Sequence, residues 1–258
     1  MDSKPLPIKG VLSDTKRLYR SLFARSFATG FIIFAAVGVL DAMIPHVSGW
    51  TLTAIGTAAT IAAFVGTTFV QGALVPAVDS EHRGTPVPGI AELYRSSWSR
   101  LGSLVALSIL TGVAVGLGFL AFVVPGVLLA IRWALAAPVV MLEGLGARSA
   151  MRRSRELVSG HRWAVLRVLL NVWLRIGLAW LLLTGLLHRL AVVTGSELLV
   201  YWLAAALASA LVTPYAGHAL SVVYYRLTDP DRPVIAEQRP AWHSIWREHD
   251  RGGDSTAA

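Results

Sequence analysis

Residues 101–142 read LGSLVALSILTGVAVGLGFLAFVVPGVLLAIRWALAAPVVML, and the only charged residue in this stretch is Arg132. A helix that crosses a bilayer needs about 20 apolar residues, so the stretch is long enough for two spans. Pro125 and Gly126, a pair that ends helices, lie near its middle. The sequence therefore predicts a tight hairpin of two spans, at 101–124 and 127–142.

The rest of the chain has the same character. Of its 258 residues, 55% are hydrophobic and 15% are charged, and the mean hydropathy is +0.60; soluble domains contain about 25% charged residues. Four further apolar runs are long enough to span a bilayer. They cover about residues 27–44, 50–75, 163–187 and 198–225. The prediction is an all-α polytopic membrane protein with six transmembrane helices arranged as three hairpins.

Positive charge is distributed unevenly about these spans. Of the 23 lysines and arginines, 19 lie before the first span, after the sixth, or in the two connections between hairpins. Only Arg189 lies in a connection on the other side, and the remaining three fall within spans. Cytoplasmic loops carry the excess of lysine and arginine. The sequence therefore predicts a multi-pass protein of the cell (inner or plasma) membrane with both termini in the cytoplasm.

One phrase occurs twice along the chain. Residues 18–25 read LYRSLFAR, residues 93–100 read LYRSSWSR, and residues 157–167 carry a weaker relative, LVSGHRWAVLR. Each copy precedes a hairpin, and the second helix of each hairpin has a proline near its end: Pro76, Pro138 and Pro214. We interpret this as a pseudo-threefold repeat. Convergence is the alternative, because aromatic and arginine residues are common at span ends.

The repeat suggests a division of the chain into three regions. Residues 1–25 form a cytoplasmic segment with an interfacial helix, residues 26–228 form the six-helix domain, and residues 229–258 form a polar, partly disordered tail. Within the domain the predicted units cover about residues 12–79, 88–143 and 147–227. Gly112 and Gly116, four residues apart, favour close helix packing.

The segment before each hairpin is predicted to be a cytoplasmic amphipathic helix at the membrane interface. Leucine and aromatic side chains share one helical face, and arginine and serine occupy the rest. The predicted lipid contacts are Tyr19, Arg20, Arg25, Tyr94, Arg95, Trp98, Arg100, Arg152, Arg153 and Trp163. The partners expected are anionic lipids of the inner leaflet, and also a membrane-protein partner or a second copy. The net charge of +8 does not indicate nucleic acid, because the basic residues adjoin the span ends.

Ionisable residues inside the spans form a candidate polar site. Arg132 and Arg175 lie deep in their spans, Asp41 lies within the first and His218 within the sixth. Such groups are costly in lipid and usually face a bundle interior or a wet cavity. They predict either a site for an anionic ligand or a structural role. In the structural alternative, Arg132 bonds to helix-end carbonyls and Arg175 snorkels or pairs with Asp41.

Other chemistry has little support in the sequence. No cysteine is present, which excludes disulfides, thiolate nucleophiles and cysteine-bound metals. The seven histidines form no metal-binding spacing, and no GxSxG turn occurs. We therefore predict no catalytic residue, no metal and no cofactor.

The block at 125–170, PGVLLAIRWALAAPVVMLEGLGARSAMRRSRELVSGHRWAVLRVLL, resembles the signature stretch of the glycerophosphoryl diester phosphodiesterase membrane-domain family. The order PG, RW, P and E, followed by a basic amphipathic helix that ends in W, carries the resemblance. It implies a six-helix unit that is sometimes fused to a phosphodiesterase domain and mostly stands alone. The residues here supply no such catalytic domain, so the resemblance implies no enzyme activity.

Three functions remain open. The leading hypothesis is a non-enzymatic protein that binds or senses anionic lipid or scaffolds a membrane complex. The second is a small transporter of an anionic or lipid-like substrate. The third is an intramembrane enzyme that acts on a lipid or polyprenyl substrate.

Overall fold

The structure is a computed structural model that describes residues 7–44, 47–194 and 197–235; within these ranges every regular element is a helix. The side chains at 41–42, 187–188, 190–201 and 204–205 also fall outside the description. The helices are α1 (Ile8–Ser21), α2 (Phe23–Met43), α3 (Gly49–Arg83), α4 (Ile90–Trp98), α5 (Leu101–Ala121), α6 (Val123–Trp133), α7 (Ala136–Glu143), α8 (Ala147–Val158), α9 (Arg162–Thr194) and α10 (Glu197–Thr228).

Six segments of the described chain are long and apolar enough to cross a membrane, which confirms the predicted fold class. They belong to α2, α3, α5, the pair α6 and α7, α9 and α10. Consecutive spans pack as the predicted hairpins, α2 with α3, α5 with α6, and α9 with α10. Helix α10 also contacts α1, α2 and α3, so it lies at the centre of the bundle.

A short helix precedes each hairpin, and we call α1, α4 and α8 the entrance helices. Each packs mainly on a hairpin other than the one it leads into: α1 on α10, α4 on α3, and α8 on α6 and α7. The first entrance helix thus contacts the third hairpin, the second contacts the first, and the third contacts the second. These contacts join the three hairpins in a ring.

The leucines of the entrance helices pack inside the protein. Leu18 and Leu93 are 0% exposed, and Leu22, which directly follows α1, is 1% exposed. Together with the second half of α3, the start of α7 and the end of α10, they form the hydrophobic core. We call this side of the bundle, where the entrance helices and their arginines lie, the arginine-rich side.

The third copy of the phrase differs from its predicted structure. Helix α8 ends at Val158 and α9 begins at Arg162, so residues 157–167 straddle a turn. Gly160 makes that turn with φ +89, a backbone conformation that glycine adopts at no steric cost. The third entrance helix therefore lies upstream of the phrase.

The second hairpin breaks at two places. The first break is at the extended Phe122, before the predicted Pro125–Gly126 pair; Pro125 then lies in the first turn of α6, where its missing N–H is not needed. The second break, between Trp133 and Ala136, was not predicted. Pro138 lies in the first turn of α7 and cannot continue the hydrogen-bond ladder of α6.

Candidate functional site

A cavity of about 670 Å³ lies between α3, α5, α6, α7, α9 and α10. Its wall is made mainly of aliphatic and small side chains from these six helices and from the break between α6 and α7. Examples are Ala59, Leu107, Ala134, Val168 and Leu220. Five uncharged polar residues also line it: Thr60, Thr67, Thr68, Gln71 and Thr111. No ionisable residue is among the described residues that line this cavity.

The polar groups of the cavity are of two kinds. The hydroxyls of Thr60, Thr68 and Thr111 donate to carbonyls of their own helices, at 2.8, 3.1 and 2.6 Å. Within the described chain, the Thr67 hydroxyl and the Gln71 amide have no hydrogen-bond partner. These two residues are one turn apart on α3, so they offer adjacent donors and acceptors to a molecule in the cavity.

The break between α6 and α7 forms part of the cavity wall, through Trp133 and Ala134. Ser154 of α8 holds this break: its hydroxyl donates to the Arg132 carbonyl at 2.9 Å and accepts from the Leu135 N–H at 3.1 Å. Ser154 is 0% exposed. An entrance helix thus satisfies backbone groups that a continuous helix would have paired.

The Arg132 side chain lies at this break but outside the cavity lining. It is half-buried, and its buried Nε has no hydrogen-bond partner in the described residues. The predicted bond to helix-end carbonyls is therefore not made by that atom.

His218 lies on the other side of α10. It is 0% exposed, and its Nε2 shares a 2.9 Å hydrogen bond with Ser26 Oγ of α2. Its ring meets that of Tyr19 edge-on, with centroids 6.3 Å apart. Tyr19 meets Tyr215 in the same way at 5.7 Å. His218 is thus part of the packing between α1, α2 and α10.

Arg175 completes this row of side chains. Its Nη1 donates to the Tyr215 hydroxyl at 3.3 Å, and the residue is exposed on α9. The structure therefore links Arg175 to His218 through two tyrosines, while Arg132 lies apart from them at the α6–α7 break. The side chain of Asp41, the fourth predicted member, lies outside the described residues.

The predicted lipid-contacting residues divide into three groups. The phenols of Tyr19 and Tyr94 turn inward and donate to the carbonyls of Leu211 and Thr29, at 2.8 and 2.6 Å. Burial raises the pKa of both tyrosines, that of Tyr94 to about 12. The exposed group comprises Arg20, Arg25, Arg95, Trp98, Arg152 and Trp163.

Arg100 and Arg153, the other two predicted contacts, are half-buried on the arginine-rich side. The Arg100 guanidinium packs over Gly144, which has φ +72. Arg153 pairs with Glu143, with Nε and Oε2 3.2 Å apart. This ion pair joins α8 to the end of α7.

Two carboxylates near the predicted prolines form a polar cluster with tyrosines of α10. Tyr224 donates to Glu143 at 3.0 Å and Tyr225 donates to Asp79 at 2.7 Å. Asp79 also accepts from Arg83 at 2.8 Å. The adjacent tyrosines thus tie the ends of the first two hairpins to the third. The sequence analysis did not predict these tyrosine–carboxylate bonds, although Asp79 and Glu143, which follow the first two prolines, were a signal.

Metal binding has no support in the described residues, which contain no group of three His, Asp or Glu side chains that could hold an ion.

Comparison with known proteins gives a family without an activity. The sequence profile described as "Uncharacterised protein family (UPF0259)" matches residues 36–215. A UPF0259 membrane protein of Sodalis glossinidius (strain morsitans) is 35% identical over 100 residues, which are 39% of this chain. The alignment spans 40% of that relative's own length. No solved structure matches the chain.

These matches correct the resemblance described above. The block at 125–170 lies within the UPF0259 match, so its assignment to the glycerophosphoryl diester phosphodiesterase membrane-domain family is wrong. The order PG, RW, P and E is satisfied by a sequence from another family, because prolines, glycines and aromatic–arginine pairs recur wherever membrane helices begin and end.

Proposed function

Because this chain belongs to the uncharacterised protein family UPF0259, which supplies no activity to transfer, we propose a function from its geometry: binding of a membrane lipid. The observation that carries the proposal is the cavity between α3, α5, α6, α7, α9 and α10.

The size and lining of the cavity suit a hydrocarbon chain. Pockets for small ligands measure about 300–1,000 Å³ and are mostly apolar with a few polar groups; this one measures about 670 Å³. Six helices of the membrane domain supply its wall. A lipid chain would reach it from the bilayer without leaving an apolar environment.

The free polar groups indicate where the polar end of the lipid would lie. Thr67 and Gln71 offer a hydroxyl and an amide, which suit an ester, carbonyl or hydroxyl group of the ligand. The described lining contains no ionisable side chain, and a buried charge needs a partner. This favours a lipid over a hydrophilic anion as the occupant, and it favours lipid binding over transport of such an anion.

The arrangement of charge supports an orientation for the protein in a cell (inner or plasma) membrane. The entrance helices place exposed arginines such as Arg20, Arg95 and Arg152 on one side of the bundle. Positive charge stays in the cytoplasm, so this side would face inward, against anionic lipids. Ser13→Cys and Ser48→Cys test the orientation, because no native cysteine interferes. An impermeant thiol reagent added outside intact cells should label position 48 only, and labelling of position 13 would reverse the assignment.

The repeat is a further part of the proposal. Each entrance helix packs on the preceding hairpin of the ring, and one polar side chain of each bonds to that hairpin's backbone: Tyr19, Tyr94 and Ser154. Three related units arranged about an axis would produce this cyclic pattern, and pseudo-symmetric repeats are frequent in membrane proteins that bind a ligand at their interface.

Cavity-filling variants test lipid binding. Ala63 lines the cavity, so Ala63→Phe should fill part of it and expel the occupant. Ala36→Phe is the matched control, because Ala36 is exposed on α2. Native mass spectrometry with lipid extraction should show a retained lipid on wild type and the control, and about tenfold less on Ala63→Phe.

Gln71→Leu keeps the cavity apolar and removes its free amide. It should retain lipid but change the headgroup or ester class that is retained. Equal retention of the same lipids by wild type, Ala63→Phe and Gln71→Leu would refute binding in the cavity.

A further inference from the structure

Helix α9 carries a polar stripe on a surface that is otherwise apolar. Arg167, Asn171 and Arg175 are spaced four residues apart, so they lie along one side of the helix, and all three are exposed. Their exposed neighbours on α9 include Leu174 and Leu178, at 73% and 56% exposure. At a rise of about 1.5 Å per residue, Arg175 lies about 20 Å along α9 from its first residue.

The three polar residues differ in how their donors are satisfied. Arg167 Nε donates to the Trp163 carbonyl and Asn171 Nδ2 donates to the Arg167 carbonyl, at 3.3 and 3.1 Å. Both bonds stay within the helix. Arg175 instead reaches across to α10, where it donates to the hydroxyl of Tyr215.

The charge of Arg175 remains uncompensated within the described chain, where no carboxylate pairs with it. A guanidinium has five N–H donors, and one bond to a phenol leaves most of them available. An ionisable group at this position of a membrane helix is costly, by about 2.5–3.5 kcal/mol on insertion scales. An anion bound at the Arg175 guanidinium would balance its charge and accept hydrogen bonds from its unused N–H donors.

The surroundings of Arg175 are fixed by aromatic packing. Tyr215 lies edge-on to Tyr19, whose own hydroxyl is bonded to Leu211. From Tyr19 a row of rings continues along α2 through Phe23, Phe27 and Phe31, with successive centroids 5.6, 5.9 and 5.8 Å apart. Phe23 is 43% exposed, so part of this row is open to an acyl chain.

We propose that Arg175 and Tyr215 bind the phosphate of an anionic phospholipid on the outer surface of the bundle, with an acyl chain along the Phe23–Phe27–Phe31 row. The planar guanidinium matches two phosphate oxygens at once, and the Tyr215 hydroxyl is free to donate to a third. Arg167 and Asn171 provide a polar path from the arginine-rich side. A phospholipid is the source of the phosphate, because the residues around Arg175 on α9 suit lipid chains and not water.

This site is separate from the cavity of the proposed function. The cavity is lined by Val165, Val168 and Val172 of α9, whereas Arg175 lies outside its lining. Lipid binding at one site can therefore be disproved without disproving lipid binding at the other.

The test compares anionic phosphatidylglycerol with zwitterionic phosphatidylcholine on the full chain in detergent, by native mass spectrometry. Wild type should bind phosphatidylglycerol in preference, and Arg175→Gln should lose about tenfold in its affinity. Arg189→Gln is the matched control, because it removes the same charge from an exposed position near the other end of α9, away from the entrance helices. Its affinity should equal that of wild type.

Arg175→Lys and Tyr215→Phe test the same site if Arg175→Gln folds poorly. Arg175→Lys retains the positive charge but loses the planar guanidinium that binds two phosphate oxygens. The affinity of this variant for phosphatidylglycerol should therefore fall between those of wild type and Arg175→Gln. Tyr215→Phe should also weaken phosphatidylglycerol binding. Equal preference for phosphatidylglycerol in wild type and all Arg175 variants would overturn the site, as would an equal loss in Arg189→Gln. The lipid retained in the cavity should not respond to Arg175, which separates this result from the test of Ala63→Phe.

Discussion

Replacing glycine by alanine should have opposite effects on stability at two positions of α5, Gly118 and Gly116. A Cβ added at Gly118 would lie 2.9 Å from the Gly126 Cα and 3.0 Å from its backbone N. A Cβ added at Gly116 would have no atom within 4 Å. Since both residues lie inside the same helix, alanine gains about 0.5–1 kcal/mol of helix propensity at either position.

The clash decides the difference between the two variants. Ordinary contacts of a Cβ begin at 3.4 Å, so Gly118→Ala must separate α5 from α6 by about half an ångström, and overpacking of this kind costs about 1–3 kcal/mol. The two nearest atoms belong to the backbone of Gly126, so no rotamer change can relieve the contact. We expect Gly118→Ala to be less stable than Gly116→Ala by about 1–3 kcal/mol.

Unfolding in mixed micelles measures this difference. The free energy of unfolding should fall from wild type to Gly118→Ala and stay equal or rise for Gly116→Ala. If Gly118→Ala were as stable as Gly116→Ala, the close approach of α5 to α6 at Gly126 would be refuted.

Two further predictions concern the entrance helices. Ser154→Ala should lower the free energy of unfolding by about 1–3 kcal/mol, because it leaves the buried Leu135 N–H without a partner. Ser159→Ala, at an exposed position, is the control and should stay within about 0.5 kcal/mol of wild type. Equal free energies of unfolding for the two variants would contradict the role of Ser154 at the break between α6 and α7. Since burial raises the pKa of Tyr94 from 10.0 to about 12, the unfolded phenol ionises first, and the stability it contributes is present below pH 10 and lost as the pH rises toward 12. Unfolding midpoints from pH 9 to 11.5 should fall less steeply in Tyr94→Phe than in wild type, and parallel slopes would contradict the assignment.

The individual members of the candidate polar site could be predicted from the sequence, but their contacts could not. Arg132, Arg175 and His218 stand out in the sequence because each is ionisable in an apolar span. The structure brings only Arg175 and His218 near each other, through Tyr215 and Tyr19. No pattern in the sequence indicated these tyrosine contacts.

The cavity was not predictable for a different reason. Its wall consists mainly of alanine, valine, leucine and threonine, the residues that also fill helix contacts in any membrane bundle. Whether such residues enclose a space depends on how far apart six helices lie. Thr67 and Gln71 become notable only once their lack of protein partners is known.

The sequence by itself determined the number of spans, their pairing into hairpins and the side on which positive charge accumulates. These follow from apolar length and the position of charges and prolines, which act within about 20 residues. Tertiary structure decided that each entrance helix packs on a different hairpin, that Ser154 holds the break in the fourth span, and that Tyr19 bonds to Leu211, 192 residues away. Contacts at such separations depend on the shapes of several helices together, so no local stretch of residues specifies them.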